Sequence, residues 1–235
     1  MNNHPGTREP AGLGREFPVA RADHMVYNPQ IVRIIRSSPI MLERIRQNLA
    51  FETQEASIPE NLTPAAVLFP LLLKDNNLHV LFTKRTQTVK AHKGQVSFPG
   101  GVRDPHDENL LATALREAQE EIDLKPEDVE ILGVLDPITT VTTGFLVYTF
   151  VGFIPYPYPF QPNSREVAEI LFVPLDFLVN DKHWSHRSYD TENQRFRAYF
   201  VSYGNYRIWG ATARILKIFF EKNGIEMNIK AAMES

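Results

Sequence analysis

The sequence predicts a single domain of mixed α/β (α+β) class, in which helices pack on a mixed β-sheet. Apolar runs of strand length recur at irregular intervals, at 65–73, 78–84, 129–135, 144–154, 166–173 and 195–203. Two helical patterns are well marked, at 109–122 and at 211–222, and Asn223 and Gly224 close the second. Strands that alternate irregularly with two such helices indicate one mixed sheet with helices on it.

The size and composition of the chain exclude some classes of function. The chain has 235 residues, of which 43% are hydrophobic, and this is enough for one large core. Its formal net charge of -3 lacks the basic excess that is typical of nucleic-acid-binding proteins. The absence of cysteine excludes disulfides, thiolate zinc sites and a cysteine nucleophile, and we expect a cytoplasmic protein.

The most apolar stretches indicate strands of a soluble protein and not membrane spans. The stretch 64–73 is too short to cross a bilayer, and glycine and alternating prolines interrupt the stretch 144–160. Residues 1–24 contain no apolar segment of the kind that a signal peptide needs. We therefore expect a small-molecule partner, with no nucleic acid and no membrane.

The flanks of the chain differ from its centre. Residues 1–24 have the composition of a flexible tail, and 25–60 predict a helical extension. Within it, two short amphipathic patterns occupy 29–50, and the second begins near Ser38 and Pro39. The main domain is expected at 61–224 with a short tail at 225–235. Inside it, the tetrapeptide 74–77 has the composition of a hairpin turn.

The helix at 109–122 collects negative charge. Glu117, Glu120 and Glu121 follow at helical spacing and share one face, with Arg116 four residues before Glu120. An apolar stripe for packing on the sheet lies on a different face and consists of Leu111, Leu115, Ala118 and Ile122. Like charges at this spacing destabilise a helix by roughly 0.2–0.5 kcal/mol per pair, so the cluster is either a solvated acidic face or a cation site.

The segment before this helix favours the cation site. Phe98-Pro99-Gly100-Gly101 ends in a glycine pair, which permits close approach of a ligand to the backbone. Carboxylates and backbone carbonyls are the ligands that hard divalent cations prefer. We therefore expect metal ligands at Gly101, Glu117, Glu120 and Glu121, with Arg116 orienting a neighbouring carboxylate.

This segment resembles the Nudix hydrolases, whose box runs Gly, five residues, Glu, seven residues, then Arg-Glu-apolar-x-Glu-Glu-x-Gly-apolar. Residues 116–124 cover its second half, and Gly101 opens the first. Gly101 lies one residue further from Arg116 than in the box, so the early acidic position falls on Asp107 or Glu108. Asp123 stands at the late glycine, where a helix would end in a left-handed residue.

A second resemblance, to the coenzyme A pyrophosphatase branch of that family, covers residues 81–101. Thr83, Arg85, Gly94 and 98–101 match its signature at the right spacing, whereas Phe82, Thr86 and Lys90 depart conservatively. The stretches 103–107 and 209–216 also look like members of this branch. The two resemblances together imply a Nudix-type mixed sheet sandwiched between helices, with an N-terminal helical extension.

The resemblance implies metal-dependent hydrolysis of the pyrophosphate bond of coenzyme A or its derivatives. The products are 3′,5′-ADP and 4′-phosphopantetheine or its acyl form, with Mg²⁺ or Mn²⁺ as the cofactor. The substrate-binding residues are expected to be Arg85, Lys90, Lys93, Gly100 and Gly101, with Arg85 and Lys90 at the 3′-phosphate. The catalytic residues are expected to be Arg116, Glu117, Glu120, Glu121 and Glu166.

Some assignments stay open at this level. The general base is Glu120, Glu121 or Glu166, and an ordinary strand-start glutamate is an equal interpretation of Glu166. Lys84, His92 and Lys93 lie on a basic segment that is expected to pass close to the bound phosphates, with a solvated loop as the alternative. His92 and His106 have no partner histidine at ligand spacing. A homodimer is compatible with the sequence, which fixes no oligomeric state. The alternative functions are hydrolysis of ADP-ribose, NADH or a dNTP, and a Nudix binding module without catalysis.

Overall fold

The computed structural model describes residues 38–50, 58–87, 93–141, 143–190 and 195–232. Its helices are α1 (Ser38–Asn48), α2 (Leu110–Ile122), α3 (Leu175–Leu178) and α4 (Gly210–Lys222). Its strands are β1 (Thr63–Lys74), β2 (Asn77–Arg85), β3 (Val96–Ser97), β4 (Gly100–Val102), β5 (Glu130–Thr139), β6 (Phe145–Phe153), β7 (Val167–Pro174), β8 (Trp184–Asp190), β9 (Arg195–Tyr203) and β10 (Tyr206–Trp209).

All ten described strands belong to one mixed sheet. Along its main path the order is β5-β6-β1-β2-β3-β10-β9-β8, and off this path β4 pairs with β1 and β7 with β2. The pairs β1–β6 and β3–β10 are parallel, and the other pairs are antiparallel. Two strands therefore branch from the β1–β2 pair, β4 from β1 and β7 from β2.

Helices cover both faces of the sheet, as predicted. On one face, α2 packs in a core cluster with the apolar side chains Ala66, Leu68, Leu72 and Leu81. On the other face, a larger cluster contains Met41 and Ile45 of α1, and Phe219 and Phe220 of α4. The two clusters confirm the mixed α+β class and the arrangement of a sheet between helices.

The predicted N-terminal helix forms where its start signal lies. Helix α1 begins at Ser38, and it buries Met41, Ile45 and Leu49 in the larger core cluster. The other pattern in 29–50 falls before residue 38 and, like the tail at 1–24, lies outside the described residues. None of the described helices is long and apolar enough to cross a membrane.

Most strand predictions are confirmed, and the short or polar strands are the ones that the sequence missed. The β1–β2 hairpin turns on Asp75 and Asn76, both with positive φ, as a two-residue turn between right-twisted strands requires. Strands β3 and β4 are too short for a periodic pattern, and β8 (WSHRSYD) lacks apolar alternation because it lies at the sheet edge.

An aromatic cluster fixes the segment that leads into β4. The ring of Phe98 stacks at 4.6 Å on Phe69 and at 5.0 Å on Phe82, and all three rings are buried. The Pro99 carbonyl then accepts a hydrogen bond of 2.9 Å from the Leu68 amide. Because both contacts are to β1 or β2, the glycine pair that follows is held rigidly beside α2.

Candidate active site

Helix α2 is defined by two local caps. The Asn109 side chain accepts a hydrogen bond of 2.9 Å from the Ala112 amide at the first turn. At the other end Asp123 adopts the left-handed conformation (φ 57, ψ 33), so this aspartate takes the glycine position as predicted. The caps set the rotation of the helix and hence the direction of its carboxylates.

The glutamates of α2 differ in exposure. The side chain of Glu121 is only 3% exposed and that of Glu120 is 58% exposed, although the sequence places both on one face of the helix. The buried stripe of α2 runs through Leu110, Ala114, Ala118 and Glu121, which follow at spacings of four, four and three. The carboxylate of Glu121 therefore points at the sheet.

The glycine pair makes room for Glu117. A Cβ atom at Gly101 would stand 2.5 Å from the Glu117 carboxyl carbon, so no other residue fits without displacing that carboxylate. Gly100 has φ +153, and a Cβ there would lie 2.4 Å from the carbonyl oxygen of Ala66 on β1. The close packing of the turn on α2 thus depends on both glycines.

Arg116 organises the acidic cluster. Its Nε and Nη2 atoms donate to the two carboxylate oxygens of Asp107 at 2.8 and 3.1 Å. Its Nη1 lies 2.9 Å from Glu117 Oε1 and 3.2 Å from Glu120 Oε1. The hydrogen bonds that Arg116 donates to Asp107 hold the pKa of the Asp107 carboxyl well below its usual range, and the same bonds raise the pKa of Arg116. The early acidic position therefore falls on Asp107 and not on Glu108.

Glu121 lies between two residues of β2. Its Oε1 stands 3.5 Å from Arg85 Nη1, and its Oε2 accepts a hydrogen bond of 3.5 Å from the Thr83 hydroxyl. Burial first, and then the negative charges of Glu117 and Glu166, raise the pKa of Glu121 to about 8, although Arg85 opposes this shift. Burial also raises the pKa of Glu117, and here Arg116 opposes. Two carboxyl groups of α2 thus have raised pKa values because the fold buries them.

Glu166 belongs to the same electrostatic neighbourhood. It precedes β7, and its carbonyl accepts a hydrogen bond of 2.8 Å from the Thr86 amide just after β2. The Asn163 amide donates to the Glu121 carbonyl at 2.8 Å, which ties this loop to the end of α2. Burial is the main cause of the raised pKa values of Glu117 and Glu121, and the negative charge of Glu166 adds to both shifts.

The predicted metal ligands are brought into one region but are held by arginines. Within the part of the chain that the structure describes, no three acidic or histidine side chains stand in position to hold a metal ion. Arg116 holds Glu117 and Glu120, and Arg85 holds Glu121. The donor set nevertheless fits a hard divalent cation, because its ligands are carboxylate oxygens, and a cation would compensate the negative charge of the buried Glu117 and Glu121.

The predicted substrate residues are found in different places. Arg85 lies in the site, and its Nε is buried without a hydrogen-bond partner among the described residues. Lys93 is exposed before β3, and Lys84 lies on the opposite face of β2, where it pairs with Glu169 at 3.9 Å. His106 is an exposed loop residue. Lys90 and His92 lie outside the described residues.

Two contacts of the site were not predicted from the sequence. One joins Thr83 to the buried carboxylate of Glu121, and the other joins Asp107 to the guanidinium of Arg116. Thr83 was matched only as part of a signature, and its hydroxyl is completely buried against Glu121. Asp107 was one of two candidates, and its carboxylate accepts a hydrogen bond of 2.8 Å from the Thr113 hydroxyl six residues later, a contact between loop and helix that the sequence did not indicate. Thr83 and Arg85 stand two residues apart near the end of β2 and therefore share one face of the strand, which was the available signal.

Comparisons with known proteins agree on one family. A family model described as NUDIX domain matches residues 62–192. A protein of Photorhabdus laumondii named Nudix hydrolase NudL is 39% identical over 159 residues, which are 68% of this chain and 84% of that protein. Its namesake from Cronobacter sakazakii is 36% identical over 184 residues, 78% of this chain and 95% of that protein.

Among solved structures, a Nudix hydrolase from Alicyclobacillus acidocaldarius aligns with a TM-score of 0.44 and 21% identity over 54% of this chain and 85% of that one. The family match covers more than half of the chain, and the relatives match it over two thirds or more. The chain therefore belongs to the Nudix hydrolases and is a pyrophosphohydrolase of that family.

Proposed function

We propose that the chain hydrolyses the pyrophosphate bond of coenzyme A or its derivatives, giving 3′,5′-ADP and 4′-phosphopantetheine or its acyl form. The observation that carries the proposal is the contact between two sets of residues. The matched residues of the coenzyme A pyrophosphatase signature, Thr83, Arg85 and Gly101, each touch a box glutamate of α2. The residues that distinguish the branch and those that define the family therefore form one site.

The cofactor in this proposal is Mg²⁺ or Mn²⁺, because Nudix hydrolases use divalent metal ions. The residues that would hold it are Glu117, Glu120 and Glu121, with the backbone carbonyl of Gly101. When bound, the ion neutralises charge on the pyrophosphate oxygens and acidifies the attacking water. Its ligands are hard oxygen atoms, which Mg²⁺ and Mn²⁺ both prefer.

The residues of the chain supply orientation and charge. Arg116, held on Asp107, keeps Glu117 and Glu120 in place, so their carboxylates are positioned before substrate enters. Arg85 has one Nη atom near Glu121 and a buried Nε without a described partner. A pyrophosphate oxygen is the acceptor that this guanidinium would bind, since charge-assisted bonds to phosphate are strong.

Glu166 is the base that we assign to the attacking water. It lies outside the box on the loop before β7, and its charge acts on both Glu117 and Glu121. Glu121 is bound by Thr83 and Arg85, and Glu120 by Arg116, whereas among the residues that the structure describes no arginine forms an ion pair with Glu166. A carboxylate within reach of the water takes its proton.

A product analysis tests the proposal. The full chain with Mg²⁺ is incubated with coenzyme A, an acyl-CoA, NADH, ADP-ribose and dNTPs, and the products are identified by mass. Cleavage of coenzyme A to 3′,5′-ADP with the highest kcat/KM supports it, and the Glu120→Gln variant serves as the inactive control. Preferred cleavage of ADP-ribose or a dNTP overturns the coenzyme A assignment.

A further inference from the structure

Strand β10 places side chains on the face of the sheet that carries the carboxylate site. Ile208 of β10 and Val96 of β3 pair in parallel, and both are buried in the core on the opposite face. Successive residues of a strand point to alternate faces. Trp209 and Ser97, which follow Ile208 and Val96, therefore both point to the face on which α2 and its glutamates lie.

Strand pairing adds one side chain on each side of Ser97 and Trp209. Thr83 pairs with Ser97, and Trp209 pairs with Phe200, so these four residues form a row across β2, β3, β10 and β9. The row begins at the site, because the Thr83 hydroxyl donates to Glu121. Trp209 lies two strands from Thr83, which corresponds to roughly 10 Å. The ribose of a nucleotide spans such a gap between its base and its pyrophosphate.

An exposed tryptophan, Trp209, and a largely buried phenylalanine, Phe200, lie at the outer end of the row. The ring planes of Trp209 and Phe200 lie at 16° with centroids 6.5 Å apart, and the Arg207 guanidinium carbon stands 4.4 Å from the Phe200 centroid. These three side chains line an open concavity of about 310 Å³. Trp209 is 43% exposed, whereas the other tryptophan, Trp184, is buried.

The surface at Trp209 also carries a positive charge, that of Arg207. Arg207 is exposed and makes no ion pair with a carboxylate among the described residues. It stands two strands from Arg85, since β10 and β2 both flank β3, and this places a second positive charge away from the carboxylates. An exposed indole beside an arginine suits a planar base that carries a phosphate nearby, because bases stack on aromatic rings and guanidinium groups bind phosphate.

We propose that Phe200, Arg207 and Trp209 form the subsite for the nucleotide end of the substrate. The purine base stacks on Trp209, and the Arg207 guanidinium binds a phosphate on the ribose. This assignment rests on the proposed function, in which the substrate is a nucleoside diphosphate derivative whose pyrophosphate lies at the glutamates of α2.

Binding of nucleotides to the metal-free full chain tests the subsite without requiring turnover. The probes are adenosine 3′,5′-bisphosphate, 5′-AMP and ribose 5-phosphate, which lacks a base. Both nucleotides are expected to quench tryptophan fluorescence, and ribose 5-phosphate is not. By calorimetry, Trp209→Ala is expected to raise the Kd of both nucleotides roughly five- to a hundredfold, since stacking on an aromatic ring has that range. Trp209→Phe keeps a ring and is expected to lose less.

Tyr189→Ala is the matched control. Tyr189 is 42% exposed and stacks on Phe196 at 5.5 Å, but it lies at the far end of β8. Its removal is expected to leave both Kd values unchanged. Arg207→Gln is expected to weaken the bisphosphate more than 5′-AMP, and equal losses would refute the phosphate contact.

The outcomes separate this subsite from the proposed function. An unchanged nucleotide Kd in Trp209→Ala overturns the subsite, and so does a change of oligomeric state in that variant without a change in Kd, which would make this surface an interface. Trp209-dependent nucleotide binding in a chain that cleaves no coenzyme A supports the subsite while the proposed function fails. Cleavage of coenzyme A with an unchanged KM in Trp209→Ala refutes the subsite alone.

Discussion

Without metal, the stability of the protein should depend on pH because the carboxylate of Glu121 is buried. Replacing Glu121 by glutamine should remove most of this dependence. In the folded chain the pKa of Glu121 is raised to about 8, and burial is the main cause. An unfolded glutamate titrates near 4.3. Protonated Glu121 therefore stabilises the fold fully below about pH 4, and this contribution is lost as the pH rises through about 8.

The magnitude follows from the difference between these pKa values. Each pH unit between them corresponds to about 1.36 kcal/mol, so the free energy of unfolding of the wild type falls by at most roughly 5 kcal/mol between pH 4 and pH 9. Water that enters the site reduces this, and we expect about 2–5 kcal/mol. For a chain of this length the change in Tm is roughly 4–20 °C. Glutamine has the same shape and no charge, so Glu121→Gln should lack this fall.

The assay is unfolding by urea in EDTA at several pH values from 5 to 9. The quantity compared is the difference in the free energy of unfolding between Glu121→Gln and the wild type, which should grow with pH. Glu120→Gln is the control, because that side chain is 58% exposed and should not change the slope. If the free energy of unfolding changes with pH in the same way for the wild type and Glu121→Gln, the reasoning is refuted that Glu121 is buried and that Arg85 does not fully compensate its charge.

Four further predictions concern activity. Glu120→Gln should lower kcat roughly a hundredfold or more with an unchanged circular dichroism spectrum, because a ligand to the cation is lost. Gly101→Ala should lower kcat at least about tenfold, because its Cβ would stand 2.5 Å from the Glu117 carboxyl carbon. Arg85→Ala should lower kcat/KM roughly ten- to a hundredfold on both coenzyme A and its 3′-dephosphorylated form, since the guanidinium lies at the glutamates. A chain that starts at Met25 should keep full kcat, because the residues before it offer little apolar surface.

Matched variants separate these effects from general damage. Glu127→Gln changes an exposed glutamate after α2, and Gly204→Ala strains a left-handed glycine (φ +54) in the β9–β10 turn, where the added Cβ meets no atom within 4 Å. Arg195→Ala removes an arginine that is 74% exposed. All three should retain activity. Full activity of Glu120→Gln or Gly101→Ala would contradict the role assigned to that residue. For Arg85→Ala, a loss of activity confined to the 3′-phosphorylated substrate would do so. An inactive truncated chain would contradict the prediction for the N-terminal residues.

The sequence alone determined the elements whose signals are local. The hairpin at Asp75 and Asn76, the left-handed end of α2 at Asp123 and the long apolar strands each depend on residues within a few positions of one another. The box motif likewise identified the family, because it is a contiguous pattern of charge and glycine. These features needed no knowledge of which strands are neighbours.

Only the tertiary structure decided which charges meet. Glu121 was expected to share one helix face with Glu117 and Glu120, yet the sheet buries it against Thr83 and Arg85, which lie more than thirty residues earlier in the chain. The choice of Asp107 as the partner of Arg116 depended on the path of the loop between β4 and α2. Long-range pairing has no local signal, because the energy of a buried ion pair depends on which surfaces exclude water from it. The row from Thr83 to Trp209 exists only because β3 and β10, which are distant in sequence, are hydrogen-bonded neighbours in the sheet.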